Sequence, residues 1–203
     1  MIEAVSVMIT LHVQEIEGLW CGVACEDKRV FATMFASSEK EAFKGLLREL
    51  PVNSIFQLAQ GKDEFAEGVL RAIRDIVDGK DVSLNVEFAM PHLPPYTKRV
   101  LSLTSMIPKG YVTTYGALAE TAGGSPRAIG RVMATNPFAP LIPCHRVVAT
   151  DMTLCGYGGG LRLKWEILQK ENKKHGKTIE TKIGGRALRL LPISMVRQPR
   201  KQE

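Results

Sequence analysis

A proline-rich segment, Pro91-His92-Leu93-Pro94-Pro95, divides this 203-residue chain into two parts of opposite charge. Proline fixes φ and has no N–H donor, so neither a helix nor a central strand continues through this segment. Residues 1–96 contain 9 Lys and Arg against 15 Asp and Glu, whereas residues 97–203 contain 18 against 6. We therefore expect two domains. Their predicted bounds are 1–90 and 98–175, with a linker over 91–97 and a basic extension over 176–203.

The opposite net charges of the two parts indicate which of them binds a charged partner. An acidic domain followed by a basic one indicates that only the second meets a polyanion such as nucleic acid. A basic surface can also be an ordinary solvated face, so charge alone leaves both interpretations open.

The apolar runs, the first residues and the cysteines of the sequence indicate the cellular compartment of the protein. No apolar run approaches the roughly 18 residues that a membrane span needs, and Met1-Ile2-Glu3 does not resemble the start of a signal peptide. The four cysteines are few and scattered, which suits a reducing compartment better than a disulfide framework. We expect a cytoplasmic protein, or a nuclear one if its source is eukaryotic, with no membrane partner.

The first domain has the pattern of a small mixed α/β unit with an antiparallel sheet. Three β-prone runs follow one another as a meander, and Ser38 and Glu41 have the spacing of a capping box. Apolar residues at helical spacing mark a second, amphipathic helix. The predicted elements are strands over 4–13, 19–24, 30–35 and 82–88, and helices over 38–50 and 64–77. Nothing in this domain requires a chemical role.

The second domain reads as helical, with a predicted first helix over 98–107. Thr113 or Thr114 can cap a short helix over 115–122, which Gly123 and Gly124 end. Ser125-Pro126 then supplies a cap and a first-turn proline for a helix that reaches about 135. Two short helices joined by a glycine turn predict a helix-turn-helix, although a helical hairpin inside an enzyme has the same pattern.

The second of these helices carries Arg127 and Arg131 four residues apart, on one face. Small neighbours such as Ala128 permit close approach to a narrow surface. The exposed face has no Asn or Gln suited to the edge of adenine, so we expect little sequence-specific readout.

The segment Pro143-Cys144-His145-Arg146 carries the strongest chemical signal. A lone cysteine in an apolar segment is most often inert. Here, however, proline restrains the backbone before the thiol, while histidine and arginine supply a base and a positive charge. This stretch resembles the active-site signature of the O6-alkylguanine-DNA alkyltransferase family. Further matches occur in order over about 97–175. They are Ile107-Pro108-Lys109-Gly110, Tyr115, Ser125-Pro126-Arg127-Ala128, Asn136-Pro137, Tyr157-Gly158-Gly159-Gly160-Leu161, Lys164 and Glu171.

The resemblance implies a single-turnover reaction in which Cys144 accepts the alkyl group from guanine O6. The thiol must first lose its proton, and the resemblance makes His145 the base and Glu171 the group that orients it. Neighbours in an extended segment point to opposite sides, so we expect a bridging water between Cys144 and His145. Asn136 would hold the turn that carries this segment, or would simply end a helix before proline.

The same resemblance implies a DNA interface and a base pocket. We expect no cofactor and no metal in this protein. The partner would be double-stranded DNA that contains O6-alkylguanine, bound in its minor groove by a monomer, with the damaged base flipped out. Arg127 would fill the gap and Tyr115 would contact the backbone. The remaining interface residues would be Ser125, Ala128 and Arg131. The pocket would comprise Tyr115, Met133, Val147, Tyr157, Gly158 and Gly159, of which Gly158 is Ser in many relatives.

Two other functions stay open at this point. A non-catalytic lesion-binding protein could flip alkylguanine and recruit other repair factors, but such relatives typically lack the acceptor cysteine. A Cys–His hydrolase would turn over an acyl substrate and would leave the helix-turn-helix and the basic domain unexplained.

The alkyltransferase interpretation gives no role to several residues. Cys21 and Cys25, with His12 and His92, resemble the zinc site of some relatives, although buried structural cysteines fit the pattern better. Cys155 is a bystander thiol, or it has a redox or second-acceptor role. The extension is a DNA-contacting tail, a strand packed on the first domain, or disordered. Its basic residues are Lys177, Lys182, Arg186, Arg189, Arg197, Arg200 and Lys201.

Overall fold

The computed structural model describes residues 8–173, 176–183 and 186–198. The chain has a mixed α/β fold that forms two compact units. Unit 1 comprises Met1–Ile76, Val82–His92 and Pro137–Leu141, and unit 2 comprises Val77–Asp81, Leu93–Asn136 and Ile142–Glu203. Two short segments, 77–81 and 137–141, therefore belong to a different unit from their neighbours in the chain.

Unit 1 is built on a five-stranded sheet in the order β4-β1-β2-β3-β5. The strands are β1 Met8–Ile16, β2 Leu19–Glu26, β3 Arg29–Ala36, β4 Ile55–Leu58 and β5 Glu87–Phe88. The predicted antiparallel meander is confirmed by the pairing of β1 with β2 and of β2 with β3. Residues 4–7 of its first predicted strand lie outside the described residues.

The prediction of a wholly antiparallel sheet is wrong at both edges. β4 pairs parallel to β1, and β5 pairs parallel to β3. β4 was not predicted, because all four of its side chains are exposed and no apolar alternation marks it. The strand predicted over 82–88 is reduced to Glu87–Phe88. Its alternating side chains reflect alternate burial, which does not require a partner strand for the backbone.

Two helices complete unit 1, α1 over Glu39–Glu49 and most of α2 over Glu64–Val77. The Ser38 side chain accepts a hydrogen bond from the N–H of Glu41 at 3.3 Å, so the predicted N-cap is confirmed. The carboxylate of Glu41 accepts a hydrogen bond from the Ser37 hydroxyl instead of closing the reciprocal half of a capping box. Ile9, Leu11, Phe31 and Leu46 form the buried core.

The segment 137–141 is anchored in unit 1 by buried groups. Thr33, which is 1% exposed, donates its N–H to the Pro137 carbonyl at 2.8 Å and its hydroxyl to the Ala139 carbonyl at 2.9 Å. Phe138 is fully buried, and its ring centroid lies 4.8 Å from that of Phe88. Sequence patterns give no sign of the Thr33 contacts, because they join positions about a hundred residues apart.

Four helices lie in unit 2: α3 Pro95–Ser105, α4 Tyr115–Ala122, α5 Pro126–Ala134 and α6 Gly160–Glu171. The first begins and ends a little earlier than predicted. Thr114 caps α4 and Ser125 caps α5, each accepting a hydrogen bond from a backbone N–H three residues on. Gly123 and Gly124 between them have φ values of 80° and 100°, a region that favours glycine. No helix among the described residues is long and apolar enough to cross a membrane.

Unit 2 also contains a four-stranded sheet, which the prediction of a helical second domain did not include. Its order is β7-β6-β9-β8. The strands are β6 Tyr111–Thr114, β7 Val147–Val148, β8 Ile179–Ile183 and β9 Arg186–Pro192. The described part of the extension is thus a β-hairpin in the sheet of unit 2, so disorder is wrong for it. Contact of this part with DNA stays a prediction. Arg200 and Lys201 lie outside the described residues.

Candidate active site

The segment after Pro143 is a turn and not the extended chain that we expected. Cys144–Arg146 form one turn of 3₁₀-helix, closed by a hydrogen bond of 2.9 Å from the Arg146 N–H to the Pro143 carbonyl. The chain then enters β7. Successive side chains of a 3₁₀-helix point about 120° apart. The argument that Cys144 and His145 must point to opposite sides therefore fails.

Cys144 is 5% exposed. Burial raises the pKa of its thiol because the thiolate is poorly solvated there. A hydrogen bond from the Asn136 side chain and the nearby positive charge of Lys164 lower the same pKa and so oppose the effect of burial. The surroundings therefore supply groups that favour the thiolate, within a site that keeps water away from it.

Asn136 closes the base of the segment that precedes the cysteine. Its amide nitrogen donates to the Ile142 carbonyl at 2.9 Å, so the two ends of 137–141 are tied together. A residue that holds this turn would make such a contact, and the role of Asn136 stays a prediction. Because the same side chain hydrogen-bonds to Cys144, it links the end of α5 to the thiol.

His145 and Glu171 form a buried pair, 0% and 1% exposed. Nε2 of His145 lies 3.1 Å from Oε1 of Glu171. Burial lowers the pKa of His145 more strongly than the carboxylate raises it, which favours the neutral imidazole. A neutral ring that donates from Nε2 to the carboxylate keeps a lone pair on Nδ1. Nδ1 is buried and makes no hydrogen bond with the described residues.

Arg146 donates two hydrogen bonds to the Glu171 carboxylate. Its Nε donates to Oε2 of Glu171 at 2.9 Å, and its Nη2 donates to Oε1 at 2.7 Å. Its third nitrogen, Nη1, donates to the Ile107 carbonyl at 2.7 Å. Burial alone would raise the pKa of Glu171, but hydrogen bonds from His145 and Arg146 lower it to about 2. The sequence indicated only a nearby positive charge at Arg146, because the fork depends on the tertiary fold.

Lys164 is a site residue for which sequence reasoning proposed no role. It is fully buried on α6, and its Nζ donates to the carbonyls of Val147 at 2.7 Å and Cys155 at 3.1 Å. The same atom lies 5.9 and 6.0 Å from the ring centroids of Tyr115 and Tyr157. A signal was available: Lys164, Ile167, Leu168 and Glu171 have the spacing of a buried helix face, and all four are buried.

The structure places the predicted pocket and interface residues at several levels of exposure. Met133 and Val147 are buried, Tyr115 and Tyr157 are half-buried, and Gly158 and Gly159 are exposed in the turn before α6. On the α4–α5 pair, Arg127 and Arg131 are exposed on one face of α5, next to the exposed N-cap Ser125 and the half-buried Ala128.

The remaining thiols lie elsewhere. Cys155 is half-buried beside Tyr115. Cys21 and Cys25 are buried free thiols in β2, where burial raises the pKa of each to about 12. Within the described residues, no group of three or more His, Cys, Asp and Glu side chains could hold a metal ion. His12 is buried in β1.

Acidification should destabilise the fold through this site. The pKa of Glu171 is about 2 in the folded state against 4.5 unfolded, and burial lowers the pKa of His145 below 6.5. Both groups therefore contribute stability above their unfolded pKa values and lose it as the pH falls. For Glu171 alone, the loss should approach about 3 kcal/mol between pH 4.5 and 2. Urea midpoints measured from pH 7 to pH 3 test this expectation. The Glu171→Gln variant should give a flatter curve, and a curve as steep as that of the parent would contradict the assignment.

Comparison with known proteins finds similarity in the part of the chain that contains Cys144. Residues 95–173 match the model of the DNA-binding domain of 6-O-methylguanine DNA methyltransferases. A methylated-DNA–protein-cysteine methyltransferase from Pyrobaculum aerophilum is 45% identical over 92 residues, which cover 45% of this chain and 62% of that protein. The chain spans about six-tenths of the length of the curated relatives that it matches.

Solved structures extend the likeness over most of the chain. The O6-methylguanine-DNA methyltransferase of Pyrococcus kodakaraensis is 28% identical with a TM-score of 0.59, and the match covers 81% of this chain and 99% of that one. A Mycobacterium tuberculosis protein solved in complex with DNA has a TM-score of 0.64 at 22% identity, and shows a shared fold over 80% of this chain and 92% of its own. The resemblance inferred from the sequence is confirmed.

Proposed function

We propose, from the match of residues 95–173 to the methyltransferase family model, that this protein repairs duplex DNA by transferring an alkyl group from guanine O6 to Cys144. The transfer would be stoichiometric and irreversible. One observation carries the proposal. A buried thiol adjoins a buried neutral histidine whose Nε2 is engaged by Glu171 and whose Nδ1 retains a lone pair.

That arrangement suits the removal of a proton from a thiol. Glu171 holds the imidazole in the tautomer that can accept a proton at Nδ1, directly or through one bridging water. Arg146 keeps the carboxylate ionised and fixed, so Glu171 orients the base and does not compete for its proton. Asn136 and Lys164 stabilise the thiolate that forms.

The chemical step is a displacement at the alkyl carbon. The thiolate sulfur of Cys144 attacks that carbon, the bond to O6 breaks, and guanine leaves as an anion with the electron pair. The anion then takes up one proton, equal to the one that the thiol lost, and neutral guanine is restored. A thioether remains on the protein, and we assign no residue to its hydrolysis. Each molecule would therefore react once. Tyr115, Met133, Val147 and Tyr157 would line the base pocket, and backbone N–H groups at Gly158 and Gly159 would face the guanine.

We assign DNA binding to the α4–α5 pair as a helix-turn-helix that enters the minor groove. The exposed arginines of α5, the half-buried Ala128 beside them and the +12 balance of residues 97–203 all support contact with a sugar–phosphate backbone. A guanine stacked in a duplex cannot reach a thiol that is 5% exposed, so the base must flip out. Arg127 would occupy the gap, Tyr115 and Ser125 would contact the backbone, and Arg131 would meet phosphate.

Intact-mass measurement after incubation with O6-methylguanine duplex tests the proposal. We expect the whole protein population to gain the mass of one methylene group, with guanine restored in the DNA. Peptide mapping should place the added mass on the peptide that contains Cys144. Tight binding without a mass change would instead indicate a lesion-binding protein, and repeated turnover of an acyl ester would indicate a hydrolase.

Replacing Arg127 by Ala should slow repair of duplex DNA far more than it weakens binding to undamaged duplex. Its proposed role begins only once the base has left the stack. Free O6-benzylguanine needs no flipping, so it should react with the Arg127→Ala variant almost as with the parent protein. Rates measured on both substrates give the comparison.

Arg131→Ala is the matched control, one turn along the same exposed face. It should weaken all duplex binding and reduce the salt dependence of log K by about one unit. If Arg127→Ala slowed the free base and the duplex equally, Arg127 would belong to the pocket or to the fold.

A further inference from the structure

The β8–β9 hairpin lies outside residues 95–173, which match the family model, yet it is built into the same sheet as the strand that leads into α4. That strand is β6, and β9 pairs with it antiparallel. The Thr113 hydroxyl in β6 donates to the Arg189 carbonyl at 2.8 Å, and the Ile193 N–H donates to the Gly110 carbonyl at 3.1 Å. Leu188 and Leu190 are buried on the inner face of β9.

The hairpin also reaches the other end of α4. The Thr121 hydroxyl lies 3.1 Å from the Ala187 carbonyl. Nη1 of Arg186 lies 3.4 Å from the Glu120 carbonyl and 3.3 Å from the Thr121 carbonyl. These are carbonyls of the last turn of α4, which lacks N–H partners further along the helix. A cation at this end of a helix stabilises it.

The position of Arg186 matters because α4 is short and leads directly to α5. The helix has eight residues, too few to be stable alone, and ends at the Gly123-Gly124 turn that precedes α5. Nη1 of Arg186 lies 3.9 Å from where a Cβ on Gly123 would be. The hairpin therefore holds α4 at both ends, and the Arg186 side chain lies beside the first residue of the turn between the two helices.

We infer that the C-terminal hairpin is a brace for the α4–α5 pair, and that Arg186 is a positioning residue that keeps α5 aligned for binding duplex DNA. The inference rests on the proposed DNA-binding function of that pair. Arg186 acts on the helix carbonyls. It supplies no charge to the phosphates, and it has no part in the chemistry at Cys144.

Arg189 provides a matched control. It is an exposed arginine in the same strand, three residues from Arg186 and so on the opposite face of β9. Its backbone carbonyl takes part in the bond to Thr113, but an alanine there retains that carbonyl. Arg186→Ala and Arg189→Ala therefore remove the same charge from the same strand, and only the first removes side-chain contacts to α4.

The experiment compares the full-length parent protein with both variants. For Arg186→Ala we expect repair of O6-methylguanine duplex to slow about two- to fivefold, the range for a cation lost from the end of a helix. The reaction with free O6-benzylguanine and the salt dependence of duplex binding should both stay unchanged. Hydrogen exchange should speed up at the last amides of α4 and at the glycine turn. Arg189→Ala should match the parent in exchange and in repair rate, and Arg186→Lys should recover part of the loss.

Three results would contradict the proposal that the hairpin braces the α4–α5 pair. If Arg186→Ala reduced the salt dependence by about one unit, Arg186 would contact phosphate. If both variants lost repair equally, the hairpin would act through its charge. If Arg186→Ala left the exchange of α4 unchanged, its contacts would not support the helix. The exchange measurement needs neither DNA nor alkyl transfer, so it tests the brace even if the proposed repair activity fails.

Discussion

Cys144→Ala should abolish alkyl transfer, with no added mass on the protein after prolonged incubation with O6-methylguanine duplex. The variant removes the only atom to which we assign the bond to the alkyl carbon. Alanine differs from cysteine by one small sulfur in a site that is 5% exposed, so the fold and the DNA-binding surface should persist. Electrophoretic mobility shifts with damaged duplex should give binding close to that of the parent protein.

Cys155→Ala is the control for this first expectation, because Cys155 is a second thiol beside Tyr115. It should react like the parent, with the mass still on Cys144. Transfer that survives Cys144→Ala, or mass that moves to Cys155, would show that the acceptor has been misassigned.

His145→Ala and Glu171→Gln should slow transfer by roughly 10- to 10⁴-fold, the range for the loss of a general base or of the group that orients it. The structural reason is the 3.1 Å contact that fixes the imidazole with Nδ1 as its acceptor. Single-turnover rates measured from pH 5 to 9 test this expectation. Binding of damaged duplex should change little.

The pH profile separates a chemical role from a structural one. Without His145, the rate should rise with pH as the thiol ionises unaided, so the variant should recover part of its loss at pH 9. Ser37→Ala, which removes a surface hydroxyl bonded to Glu41 in unit 1, should leave the profile unchanged. A His145→Ala variant with the parent rate at every pH would mean that Cys144 loses its proton without a histidine.

Local signals explain which parts of the fold could be predicted from the sequence. Thr114, Ser125 and the two glycines determine the ends of α4 and α5, because caps and left-handed residues act within a few positions of the chain. β4 could not be predicted, since its side chains are exposed and its pairing is remote. The hairpin of the extension could not be chosen from the sequence, where a DNA-contacting tail, a strand packed on the first domain and disorder all stayed open.

Some features of the candidate site could likewise be identified from the sequence, and others could not. The signature around Cys144 and the downstream Glu171 could be identified from residue types and order, and their roles stay predictions. The 3₁₀ turn, the fork from Arg146 and the buried ammonium of Lys164 depend on contacts between α6 and the segment after Pro143. Such contacts form only in the tertiary structure, so local sequence patterns do not predict them.

Glu171 is the last residue of α6, and this position carries a consequence for engineering the protein. The peptide dipoles of a helix sum to a partial negative charge at its C-terminal end, so a carboxylate there opposes the macrodipole. Lys164, two turns earlier, places a charge in the protein interior, where the carbonyls of Val147 and Cys155 accept its hydrogen bonds. A design that followed these two rules alone would replace both residues, with a leucine at 164 and a cation at 171. Such variants should lose stability as well as repair. A leucine would leave the carbonyls of Val147 and Cys155 without a donor, and a cation at 171 would lie buried beside Arg146. Stabilising changes in α6 are better confined to its exposed positions, such as Arg162 and Glu166.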